Sequence, residues 1–121
     1  MPQLERKSYA NPDETRTFLA DTGHLDLVSV GGVQVGRGVF EPGWRWSDHV
    51  KPIAGTASCQ AVHTGYVLEG RMVVRMDDGH ELEYGPGDVF HMPAGHDAWI
   101  VGNQRCVLID VTGMANYAKA T

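Results

Sequence analysis

Apolar residues come in short bursts with a period of two, and glycine or proline interrupts them every few positions. Strand side chains alternate between two faces, so this rhythm predicts short, half-buried strands joined by tight turns. Leu25, Leu27 and Val30 lead to Gly31-Gly32, a hairpin turn signal, and Val33, Val35 and Val39 continue to Glu41-Pro42-Gly43. Trp44 and Trp46 are expected on one strand face, with Arg45 on the other. Val50 to Ser58 shows no period and reads as a loop. Strand character resumes over Cys59 to Leu68, Met72 to Met76, His80 to Tyr84, Val89 to Met92 and Ala98 to Val101. Cys106 to Val111, with Val107, Leu108 and Ile109 in a row, reads as a strand buried on both faces. Helical signals are confined to the start. Asn11 can cap and Pro12 can occupy the first position of a short helix that stops before Gly23.

Composition adds bounds. A chain of 121 residues is one domain. The expected division is an N-terminal arm over 1–23, a barrel over 24–112 and a tail over 113–121. Fifteen glycines and six prolines favour a sandwich or barrel. The formal charge of -5 offers no basic surface for phosphates, so nucleic acid is not an expected partner. No apolar run spans a bilayer and the N-terminus lacks a signal-peptide core, so a cytoplasmic protein without a membrane partner is expected. In that compartment Cys59 and Cys106 are expected to be free thiols.

The candidate chemistry lies in two segments. His49, Cys59 and His63 precede the Gly65-Tyr66-Val67-Leu68 run, and His91, His96 and Asp97 fall in PGDVFHMPAGHDAW. Imidazole and thiolate are preferred by first-row transition metals. Four positions apart on a regular strand, Cys59 and His63 would share a face. Beside the metal reading stands a nucleophilic Cys59 activated by His63, for which the sequence supplies no oxyanion hole. Only one of the neighbours His96 and Asp97 should face inward, and His91 faces inward if Val89 is core. Trp44, Trp46, Tyr66, Phe90 and Trp99 are expected as barrel core or pocket walls. His24 and His80 sit at turns and are expected in solvent.

The order of turns resembles the cupin superfamily. Pro42-Gly43 would open its first motif and Tyr66-Val67-Leu68-Glu69-Gly70 close it. Pro86-Gly87-Asp88-Val89-Phe90 and Pro93-Ala94-Gly95 correspond to the second, after a short spacer from Arg71 to Gly85. The resemblance runs over about residues 33–111 and implies an all-β fold, a jelly-roll barrel with a pocket in its mouth. The ligand set departs from the family pattern. His63 stands where glutamate is usual, and Cys59 where histidine is usual. Ala98 takes the place of the second motif's histidine, just after His96 and Asp97. The shifted set implied is His49, Cys59, His63 and His96, with Trp44, Trp46, Tyr66, His91 and Trp99 around the pocket. It would hold Zn, Fe, Mn or Ni, and Cys59 favours Zn or Fe. The expected function is binding of a divalent metal, a small organic ligand, or both. Catalysis of the dioxygenase or isomerase kind is one reading and a metal-free sensing module is the alternative. Cupins commonly pair through N-terminal strands, which implies a homodimer through the arm and the strand around Leu25.

Overall fold

The computed structural model describes residues 2–112 and 117–119. Among these, two antiparallel sheets enclose one core. The first strands are β1 (Glu14–Thr17), β2 (Gly23–Val30) and β3 (Val33–Phe40), followed by the short helical turns α1 (Trp46–His49) and α2 (Lys51–Ala54). Next come β4 (His63–Glu69), β5 (Met72–Met76), β6 (Glu81–Tyr84), β7 (Val89–Met92), β8 (His96–Ile100) and β9 (Cys106–Asp110). The larger sheet runs β1-β2-β3-β9-β4-β7 and the smaller β6-β5-β8. Strands of both sheets contribute walls to one cavity, so the sheets face each other as in a jelly roll.

The sequence period carries over to the strands that form the barrel wall. In β4, His63 and Val67 are buried, while Tyr66 and Leu68 are exposed. In β8, His96, Ala98 and Ile100 point inward. The β2–β3 hairpin turns on Gly31 and Gly32, both at positive φ (58° and 78°), which a two-residue primed turn demands. Gly65 lies where β4 passes between β7 and β9. A side chain there would run into the Ile109 carbonyl oxygen and the Phe90 ring.

Four expectations need correction. The segment after Asn11-Pro12 is extended, not helical: Glu14–Thr17 pairs with β2, and a 3-10 turn follows at Leu19–Asp21. The β-branched Thr15 and Thr17 lose rotamer freedom in a helix, and Thr15 Oγ1 donates to Asp26 across the ladder at 2.8 Å. Trp46 is not on a strand, and residues 50–58 are not all loop, because α1 and α2 fold back between Arg45 and Gly55. Cys59 lies outside β4 and forms an isolated bridge with His96. Finally, the strand around Leu25 is not an edge: β2 lies between β1 and β3, and on that side the edge of the sheet is β1, in the arm.

Candidate functional site

Three strand ends and one loop residue converge in the barrel. His63 opens β4, His96 opens β8, and Asp110 ends β9; Cys59 is drawn in by its bridge to His96, with Cys59 N–H donating to the His96 carbonyl at 2.7 Å. All four are buried, at 5%, 3%, 0% and 3% exposure respectively. Cys59, His63 and His96 each offer a ligating atom within 4.8 Å of the others. The Cys59 Sγ to His63 Nε2 distance is 3.8 Å. A tetrahedral metal with bonds of normal length sets such an edge at about 3.6 Å.

The imidazoles are held by their other nitrogens. His63 Nδ1 lies 2.6 Å from Asp110 Oδ2, and His96 Nδ1 lies 2.7 Å from the Pro93 carbonyl oxygen. A carboxylate and a carbonyl accept, so both Nδ1 atoms carry the proton and each Nε2 keeps its lone pair, the one on His63 next to the Cys59 thiol. This carboxylate- or carbonyl-backed tautomer is how metal-bound histidines are usually fixed. Asp110 itself is held by the Thr112 backbone N–H, which donates to Oδ1 at 2.7 Å. Burial pushes the His96 pKa below the usual histidine value, helped by the nearby His63, and so keeps the ring neutral and ligating. Burial pushes the Cys59 thiol up to about 11, so without a cation it stays protonated at neutral pH.

The cavity beside this cluster has a volume of about 20 Å³, walled by Trp44, Trp46, Met92, Tyr117 and others from both sheets. That is room for about one water-sized group. Tyr117 stands edge-on to His63, with ring centroids 5.1 Å apart, and its backbone carbonyl accepts from Arg16 at 2.7 Å. Burial raises the Tyr117 phenol well above its ordinary pKa.

Other anticipated residues lie elsewhere. His49 is half-buried on α1, where its Nδ1 accepts from the Arg45 backbone N–H at 3.0 Å, and it is not part of the cluster. His91 and Val89 are both exposed, because Phe90 and Met92 are the inward residues of β7. Tyr66 faces out. Trp99 is half-buried under the Arg45 guanidinium at 4.4 Å and does not wall the cavity, whereas Trp44 and Trp46 do. Between His96 and Asp97, His96 turns inward, while Asp97 accepts from the Ser47 and Ala98 backbone N–H groups. Of the two turn histidines, His80 is exposed and His24 is partly covered beside Asp26.

Sequence reasoning missed Asp110 and Tyr117. Asp110 did carry a signal: a carboxylate within a run read as buried on both faces needs a partner. Tyr117 follows the last strand, and no period marks it.

The cupin domain family profile matches residues 58–112, the stretch that holds Cys59, His63, His96 and Asp110. Residues 58–112 thus resemble a cupin domain. The chain's fold is similar to a Rhizobium leguminosarum protein of unknown function, at a TM-score of 0.62 and 21% identity, over 92% of this chain and 97% of that one. A Vibrio parahaemolyticus protein of unknown function aligns at 0.60 and 18%, over 81% and 96%. A cupin-like protein from Thermotoga maritima aligns at 0.53 and 18%, over 78% and 70%. These likenesses concern the fold alone. No curated protein sequence matches the chain. Among the described residues, no helix is long and apolar enough to cross a membrane.

Proposed function

We propose that this cupin binds one divalent transition metal through Cys59, His63 and His96 and handles a very small ligand at that metal's remaining position. The observation that carries this reading is the pair of Nδ1-backed imidazoles beside a buried thiol. Two nitrogens and one sulfur favour zinc or iron over manganese. Three protein ligands leave a fourth position open, the arrangement of catalytic rather than structural sites. A metal there would supply a Lewis acid. Asp110 orients His63, and the surrounding tryptophans and Met92 keep bulk water out.

The narrow cavity argues for a compact substrate over an aromatic one. A metal-dependent oxygenase or isomerase of a small acid is the enzymatic form of this reading. The metal-free alternative, a sensing pocket, is favoured by the burial of Cys59, which pushes its thiol up to about 11. Cobalt(II) titration separates the two. A charge-transfer band from thiolate to cobalt, at one equivalent and absent from Cys59→Ser, supports the metal centre. No cobalt uptake overturns it.

A second copy of the chain is the proposed protein partner, seated on the outer face of β4 and β7. There Tyr66, Leu68 and Val89 stay 43%, 49% and 76% exposed, and Tyr66 pairs with Val89 across the strands. Light scattering that gives a monomer mass at micromolar concentration would refute it.

A further inference from the structure

Most of the cavity wall comes from strands, but Tyr117 follows β9 and belongs to neither sheet. It is nevertheless only 6% exposed. Its ring meets two others edge to face. The His63 centroid lies 5.1 Å away at an interplanar angle of 86°, and the Phe18 centroid 6.2 Å away at 84°. Aromatic rings gain from such contacts beyond the area they bury, and an aliphatic group of the same size does not. The slot beside His63 therefore suits one aromatic ring, and the chain fills it with its own.

The hold on that ring is local. Lifting Tyr117 out breaks no ladder among the described strands, and segments outside the ladders open more readily than the sheets. Arg16 Nη1 donates to the Tyr117 carbonyl at 2.7 Å, and Glu14 anchors the same guanidinium through Nε at 2.7 Å. The next residue, Ala118, has a φ of 53°, a left-handed conformation that a side chain disfavours. With Tyr117 in place the cavity holds about one water-sized group. A larger group fits beside His63 where the Tyr117 ring now stands. We infer that Tyr117 is the built-in occupant of an aromatic ligand site: a free monocyclic aromatic of the phenol class takes the slot when Tyr117 lifts out, and Arg16 sets how readily it lifts. The compact-ligand reading above describes the closed form. That the aromatic meets a metal there rests on the proposed centre at Cys59, His63 and His96; the slot and its tie belong to the protein alone.

The chain has four tyrosines, so protein labelled with 3-fluorotyrosine gives four fluorine signals, and Tyr117→Phe identifies one of them. Phenol is titrated into the metal-free full chain up to about 10 mM, the range of a weak fragment. It is expected to bind saturably and to move the Tyr117 signal to the position of a solvent-exposed fluorotyrosine, with the other three in place. Arg16→Met, which removes the tie, is expected to tighten phenol binding about five- to tenfold by populating the open form. Cyclohexanol, of like size without a π face, is expected to bind about fivefold more weakly than phenol. Absence of saturable phenol binding overturns the inference, and so does binding that leaves the Tyr117 signal where it was. Equal affinity for cyclohexanol overturns the aromatic preference, and unchanged phenol affinity in folded Arg16→Met overturns the role of the tie. If Arg16→Met does not fold, the titration of the native chain still decides. Metal uptake is scored separately: phenol binding without cobalt uptake keeps the slot and sinks the metal centre, and cobalt uptake without phenol binding does the reverse.

Discussion

Among the described residues two histidine–aspartate pairs stand out, and they are built for different ends. His24 and Asp26 lie 3.3 Å apart on the outer part of β2, with His24 38% exposed. Asp26 also accepts from Arg37 at 3.0 Å and from Thr15 at 2.8 Å, so its charge is balanced locally. His63 and Asp110 lie 2.6 Å apart with side chains 6% and 0% exposed, and among the described residues no arginine or lysine lines their cavity. The first pair lies within one strand, and Asp26 ties that strand to Thr15 of β1 and Arg37 of β3. The second holds an imidazole whose free nitrogen faces a thiol and a second imidazole. The same two residue types thus differ in role through burial and through what the far ring nitrogen meets.

The largest expected effect breaks the two pairs in parallel. Asp110→Ala leaves His63 buried without its partner and should cost about 3–5 kcal/mol in urea unfolding. Asp26→Ala, with solvent at hand for His24 and Arg37, should cost about 1 kcal/mol. Equal losses would erase the distinction. Next in size is metal affinity. Cys59→Ser and His96→Asn should each weaken zinc binding at least about 100-fold in competition with a chelating dye, while His24→Ala and His49→Ala leave it unchanged. Asp110→Asn should weaken it about 10- to 100-fold.

The pH dependence sharpens the same contrast. The Cys59 thiol, pushed up to about 11, is protonated at neutral pH, so binding a cation must release its proton. Apparent zinc affinity should therefore rise with pH, about tenfold per unit between pH 7 and 9, and Cys59→Ser should flatten that slope. A flat profile in the native chain would show that the thiol is not a ligand. Smaller still is the thermal effect. At a free zinc concentration about 100-fold above Kd the barrel should gain about 2.7 kcal/mol, read as a raised melting temperature that a chelator reverses.

Much of the barrel can be read from the chain. Gly31-Gly32, the alternation in His63 to Leu68 and the Pro93-Ala94-Gly95 turn act within a few residues, through backbone sterics and side-chain alternation. Cys59 and His63 do come together, but not for the reason their spacing suggests. Cys59 is outside the strand, and its bridge to β8 brings it to the site. His91 was misjudged because Val89 is a β-branched residue on the outer face of an edge strand, where pattern alone cannot tell inside from outside.

By itself, the sequence determined that this protein is a small all-β barrel with strands of fixed period, and that His63 opens an inward-facing strand. Those properties depend on neighbours along the chain. Only the tertiary structure decided that Asp110 backs His63 and that Tyr117 closes over the ring. Each of those contacts joins residues from different strands or from beyond the last one. They depend on which strands become neighbours and on where Tyr117 settles after the last strand, and no local period encodes that.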